Sequence, residues 1–142
     1  MITSTNDLKP IDDFFISSGL EMGNEPVDRR VQRIWQAKEA GRLIGAATLG
    51  LRDGHWVVDG IAVLPDYRHR GLGSRLLEQV VTEARRCGAK TLWLVAMSPG
   101  FFEKEGFSYI ECQQAPAVFG CTDCHIRGVS CHPRWMYKHL SD

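Results

Sequence analysis

From Arg68 to Ser74 the chain reads Arg-His-Arg-Gly-Leu-Gly-Ser, set between an apolar β-type run that stops at Pro65 and an apolar-periodic helix. Those residue types at such a junction make a seat for phosphate. The first amides of a helix have no internal partners and lie at the positive end of its dipole, so an anion placed there satisfies them. Gly71 and Gly73 leave no Cβ to hold a diphosphate off the chain, and they accept the positive φ values such a loop needs. Arg68 and Arg70 add fork-shaped donors suited to phosphate oxygens, and His69 adds a third cationic-capable side chain. Spacing narrows the ligand. A dinucleotide fingerprint requires a third glycine where Leu76 stands, and a nucleoside-triphosphate loop requires Gly-Lys-Ser/Thr, which is absent. The competing reading is an ordinary strand-to-helix turn with solvated arginines.

A second grouping stands late in the chain, Cys121-x-x-Cys124-His125 followed by Cys131-His132. Three thiolates, from Cys121, Cys124 and Cys131, with one imidazole would form a closed tetrahedral zinc site and pin the long stretch 113–133. Reduced thiols, a redox-sensitive pair and an iron–sulfur site stay open as other readings. Cys87 and Cys112 lie in apolar runs and read as core thiols.

The elements that must position these groups follow from periodicity. Residues 1–8 lack a period and read as a frayed end or a short edge strand. Pro10 opens a helix in which Ile11, Phe14, Phe15 and Ser18 recur at helical spacing until Gly19. Gly23, Asn24 and Pro26 then leave residues 20–29 too broken for a second helix. Residues 31–38, 43–51 and 55–64 are β-rich and are joined by Glu39-Ala40-Gly41-Arg42 and by Asp53-Gly54, which predicts three antiparallel strands in hairpin succession. A helix over 74–87 turns Leu76, Leu77, Val80, Val81 and Ala84 inward and ends at Gly88. Residues 91–97 are apolar without alternation, as in a central strand covered on both faces, and the strand–helix–strand order predicts a parallel right-handed unit. A helix of barely two turns ending at Gly106, a strand over 107–112 and a closing strand over 134–140 complete an α/β (α+β) chain with a mixed sheet.

Composition sets further bounds. At 142 residues the chain is expected to be one domain with a single core. Its 17 basic and 17 acidic residues cancel, so no global field draws it to nucleic acid or to an anionic membrane. No apolar run approaches the roughly 20 residues of a membrane span, and the first ten residues lack the hydrophobic region of a signal peptide. The expected compartment is the cytoplasm, and five cysteines, an odd number, do not suggest a secreted disulfide framework.

The order Ile61-Ala62-Val63-x-Pro65-x-Tyr67-Arg68-x-x-Gly71-x-Gly73, followed later by Phe101-Phe102-Glu103-Lys104-Glu105-Gly106-Phe107, resembles the GNAT acetyltransferase superfamily over about residues 35–110. The likeness implies a mixed sheet with splayed central strands flanked by helices, and acetyl-coenzyme A as cosubstrate. It implies that backbone groups at Ile61, Ala62 and Val63 hold the pantetheine and thioester, while Arg68, His69, Arg70, Gly71, Leu72, Gly73 and Ser74 take the diphosphate. The family's tyrosine in the short helix falls on Phe102, a coenzyme contact here with no proton to donate, and a common base position falls on Val57. Asp59 is the candidate catalytic residue left, being the one charged residue between Trp56 and Leu64; a structural carboxylate paired with a nearby arginine or with loop amides is the other reading. His55 and Tyr109 are weaker candidates that also read as surface or core residues.

The Phe-Phe-Glu-Lys-Glu-Gly-Phe run, the late cysteines and Pro133-Arg134-Trp135-Met136 are similar to a short N-acetylglutamate-synthase-like branch of that superfamily. This implies a small-molecule amine acceptor, such as the amino acid glutamate, and direct attack in a ternary complex. In the family a loop covers the acceptor, and the stretch 20–29 is a trimmed version of it. Homodimers are frequent among proteins of this look. A different class stands as the alternative: an acyl-coenzyme-A-binding regulatory module with reduced catalysis and a metal or redox cysteine cluster.

Overall fold

The structure, a computed structural model, describes residues 2–18, 31–96, 99–116, 118 and 134–140. Its strands are β1 (Ile2–Thr5), β2 (Val31–Glu39), β3 (Arg42–Arg52), β4 (His55–Val63), β5 (Thr91–Ala96), β6 (Ser108–Ile110) and β7 (Arg134–His139), and its helices are α1 (Leu8–Ser17), α2 (Leu72–Arg86) and α3 (Pro99–Lys104). The strands form one mixed sheet in the order β1-β2-β3-β4-β5-β7-β6. Among the described residues, only β4 and β5 pair in parallel. Both hairpins turn on two residues in the left-handed region, Ala40 and Gly41 (φ 53° and 77°) and Asp53 and Gly54 (φ 50° and 82°). That geometry matches the twist of the flanking strands and fixes their register. Among the described residues no helix is long and apolar enough to cross a membrane.

The helices cover opposite faces, as the alternation along β3 shows. Ala46 packs with Ile11, Phe14 and Phe15 of α1, whereas its neighbour Ala47 packs with Leu72, Leu76, Leu77, Val80 and Ala84 of α2. Beside α1 on its face lies a third cluster, Val57, Val118 and Trp135, with Trp93 and Val95 against it.

Several expectations change in detail. Helix α1 starts at Leu8, so Pro10 is its third residue; an amide in the first turn has no helical partner, and proline loses nothing there. Helix α2 starts at Leu72, not residue 74, because Gly71 at φ 80° ends the loop and the Leu72 side chain drops into the core. Strand β5 is not equally covered on both faces: Leu92, Leu94 and Ala96 are buried in the core cluster that α2 joins, while Thr91, Trp93 and Val95 are half-buried. Cys87 is exposed at the end of α2 and is no core thiol, whereas Cys112 is half-buried and packs against the Val57, Val118 and Trp135 cluster. The strand expected over 107–112 shortens to β6, with Phe107 in the core and a 3-10 turn at Cys112–Gln114. The closing strand inserts between β5 and β6, a placement that linear order does not reveal. The trimmed stretch 20–29 lies outside the described residues, as do Cys121, Cys124 and Cys131.

Strand β4 carries two irregularities. In the β3–β4 ladder Thr48 faces Gly60 and Leu49 faces Val58, so Asp59 is an extra, bulged residue. Beyond it, Gly60 lies against α1, where an added Cβ would sit 2.5 Å from the ring of fully buried Phe15. Gly60→Ala should therefore destabilise the fold by about 1–3 kcal/mol through overpacking, read as a lower urea midpoint with unchanged slope.

Candidate active site

The site begins where the sheet opens. Parallel pairing of β4 with β5 consists of Trp56↔Leu92 and Val57↔Trp93, after which β5 keeps its full ladder with β7 while β4 parts from it. From the bulge to its end, β4 therefore presents one backbone edge to a wedge-shaped opening. Asp59 shows where the exposure resides: the residue is half-buried although its side chain is 0% exposed, so solvent reaches its main chain. Ile61, Ala62 and Val63 are half-buried along the same strand, and their other edge is paired with Ala47, Ala46 and Gly45 of β3. Peptide groups left this way at an unpaired strand edge accept an extended ligand as an added strand.

The opened strand runs into the predicted phosphate seat. After a 3-10 turn at Pro65–Tyr67, His69 (φ 64°) and Gly71 (φ 80°) take left-handed backbone and deliver the chain to α2. The first helical bond runs from Arg75 N–H to the Gly71 carbonyl at 3.1 Å, and no side chain caps the helix at Gly71. The amides of Leu72, Gly73 and Ser74 thus lie in the turn whose N–H groups have no helical acceptor. The loop is tethered on both sides. Arg68 Nε donates to the Val63 carbonyl at 3.1 Å, and the Tyr67 hydroxyl donates to Glu39 at the tip of the β2–β3 hairpin. The Arg70 guanidinium lies 5.2 Å from the Tyr67 ring centroid. Ser74 Oγ donates to Glu105 Oε2 at 3.0 Å, joining the start of α2 to the end of α3.

The short helix departs from expectation. Phe102 is buried in the core with its ring 5.8 Å from Phe107, whereas the ring beside the seat is that of Phe101, 3.3 Å from where a Gly73 Cβ would stand. Consecutive helical residues point to different sides, and the side facing the α2 core takes Phe102. Phe102, expected to touch the coenzyme, thus lies in the core, and Phe101 is the ring next to Gly73. Sequence reading also missed a cleft of about 270 Å³ between the hairpin tip and α2, lined by the cations Lys38, Arg70 and Arg75, by Glu39 and Tyr67, and by Ile44 and Leu72.

Asp59 takes the structural arrangement. Its Oδ1 accepts from Arg52 and its Oδ2 accepts from Thr48 Oγ1 at 3.2 Å, all within the sheet. Both carboxylate oxygens are engaged away from solvent, a poor position from which to collect a substrate proton. His55 lies at the hairpin end of β4, remote in the strand from the loop, edge-on to Trp93 at 6.5 Å. Tyr109 is on the sheet's outer strand, donating to Glu103 at 2.7 Å beneath the Arg134 guanidinium; that hydrogen bond, with some burial, raises its pKa. Neither joins the seat. Among the described residues there is no group of three metal-ligating side chains, and the three late cysteines fall outside them.

The parallel pair that parts after two residue pairs and runs on into a glycine-led helix belongs to an α/β fold with a mixed sheet. The sequence pattern of the acetyltransferase (GNAT) family matches residues 9–107, and the chain belongs to that family. It is 31% identical over 102 residues to an amino-acid acetyltransferase of Pseudomonas fluorescens, covering 66% of this chain and 22% of that protein. The chain thus spans about a fifth of the length of that curated relative. An uncharacterized N-acetyltransferase of Chlorobaculum tepidum is 24% identical over 124 residues, covering 85% of this chain and 79% of that one. The crystal structure of N-acetylglutamate synthase from Neisseria gonorrhoeae, complexed with coenzyme A and N-acetyl-glutamate, superposes with a TM-score of 0.70 at 19% identity, covering all of this chain and 36% of that one.

The hairpin tether is testable through Tyr67. Accepting its hydrogen bond, Glu39 raises the phenol pKa, with lesser contributions from burial and from the carboxylate's charge. A folded-state pKa above the unfolded value means the stabilisation is complete below about pH 10 and is lost as pH climbs through the folded value. In Glu39→Gln, an absorbance-monitored alkaline titration should show one tyrosine ionising at lower pH than in the parent protein.

Proposed function

We propose that this chain moves the acetyl group of acetyl-coenzyme A to the amine of a small molecule, by direct attack in a ternary complex. The observation that carries the reading is the continuity of two binding features: the unpaired edge of β4 after Val57, and the uncapped start of α2 that follows it through one short loop. In this reading the pantetheine arm lies along β4 as an added strand, and the diphosphate rests on the amides of Leu72, Gly73 and Ser74 with Arg70 alongside.

The neutral amine attacks the thioester carbonyl carbon; a C–N bond forms and the carbonyl oxygen becomes an oxyanion held by strand amides near Ile61 to Val63. The C–S bond then breaks, coenzyme A leaves as thiolate, and the nitrogen's surplus proton passes to solvent or to the departing sulfur. Phe101 and Phe102 donate no proton, but a thiol with a pKa of about 8.5 is a good enough leaving group to need only weak help. Rate then comes chiefly from proximity and from preorganised amide dipoles. As for the acceptor, we favour an amino acid such as glutamate, in view of the names of the Pseudomonas relative and of the Neisseria structure with its bound N-acetyl-glutamate.

The test is release of free thiol from acetyl-coenzyme A across a panel of amino acids and simple amines, with calorimetry of coenzyme A alongside. Turnover with at least one amino acid is expected. Gly73→Ala should keep the fold, since alanine favours the helix by about 1 kcal/mol, yet weaken coenzyme binding by roughly tenfold by placing a methyl group at the diphosphate. Tight coenzyme binding with no turnover on any amine would favour the regulatory module; no coenzyme binding at all would overturn the reading.

A further inference from the structure

Arg52 heads the fully buried side chains of the described residues by size, with 1% exposure, at the last position of β3. Taking a guanidinium out of water is costly, and such a group persists where good geometry and added hydrogen bonds compensate it. Its donors are directed with purpose. One nitrogen meets Asp59 Oδ1, and another donates to the Val118 carbonyl at 3.0 Å. Asp59 is held from its second oxygen by Thr48. The anchored residue is the bulged one, and it lies two positions past Val57, where β4 last pairs with β5.

A bulge re-aims the strand beyond it, and a slip of one residue would exchange the two edges and faces of everything downstream. Without Asp59 in place, the peptide groups of Ile61 to Val63 would have no fixed direction relative to the opening. We propose that Arg52, acting through Asp59, is a positioning residue for acetyl transfer: it locks the bulge so that the downstream amides of β4 point at the thioester, and it fastens Val118 to the same face. Asp59 is then the grip through which Arg52 works, and it is no proton acceptor. This inference rests on the acetyl-transfer reading above.

The experiment compares Arg52→Gln, Asp59→Asn and the double variant with the parent protein, each checked for fold by circular dichroism. Coenzyme affinity by calorimetry should fall by less than about tenfold, because the diphosphate seat is untouched and only the pantetheine's contacts along β4 are loosened. The kcat should fall by roughly 10- to 100-fold, the scale of a misplacement of about 1 Å in reacting groups. The double variant should be no worse than the poorer single one, since the two side chains act as a unit. The limbs of the pH–rate profile should persist in Asp59→Asn. Carbonyl-labelled acetyl-coenzyme A should show its bound 13C resonance moving toward the free position in all three. A kcat within twofold of the parent in both single variants, or loss of the basic-form limb in Asp59→Asn with Arg52→Gln at full rate, would overturn the proposal. Should a charged-pair variant not fold, Thr48→Val removes one hydrogen bond at nearly constant shape and should lower kcat about threefold; an unchanged rate and resonance there would also overturn it. A parent protein that binds no coenzyme would instead sink the acetyl-transfer reading itself.

Discussion

The site depends on a limited agreement between two strands. Strands β4 and β5 must pair, or the parallel unit built by α2 would not close, and they must stop pairing, or no edge would remain for a ligand. Two residue pairs, Trp56↔Leu92 and Val57↔Trp93, strike that balance. The parting is sustained by the partners that each strand keeps. Strand β5 is held to β7 along its length, β4 is held to β3, and α2 packs on β3 and β4 in the same core cluster that takes Leu92 and Leu94 of β5. Backbone groups left in the gap can be satisfied by water, which is tolerable for a sheet paired on its other edges.

Around that gap the chain devotes polar and charged groups to geometry. Arg52, Thr48 and Asp59 secure the bulge, Arg68 ties the loop to the end of β4, and Tyr67 ties it to the β2–β3 hairpin. Ser74 and Glu105 join the first turn of α2 to α3. Such a network turns a glycine-containing loop, intrinsically costly to order, into a surface of fixed amides. The aromatic pair of α3 divides its labour, with Phe102 anchoring the helix in the core and Phe101 forming the wall of the seat.

This arrangement suits chemistry run by backbone dipoles. The candidate carboxylate is locked in an ion pair, the phenylalanines have no proton, and the tyrosine and histidine singled out by type lie elsewhere in the sheet. A reaction whose leaving group is already acidic can rely on placement and on an oxyanion site.

Much of this was legible from the linear chain because it is local. Glycine at positions of positive φ, arginines beside the helix start, hairpin turns at Ala40-Gly41 and Asp53-Gly54, and the helical period of Leu76 to Ala84 all act within a few residues of themselves. The glycine-led start of α2, the order of elements and the family resemblance rest on such short-range rules. What escaped is non-local. Nothing in the period of residues 55–63 marks Asp59 as bulged, since a bulge is defined by the facing strand. Nor does sequence say that Arg52 should meet Asp59 and Val118, that β7 should enter between β5 and β6, or which of two adjacent phenylalanines faces the seat. By itself, the order of residues determined where a glycine-led helix starts beside arginines and which segments twist into strands and helices. Only the tertiary structure decided how the opening strand is aimed and which charges are consumed in aiming it, because those outcomes depend on packing between segments distant in the chain.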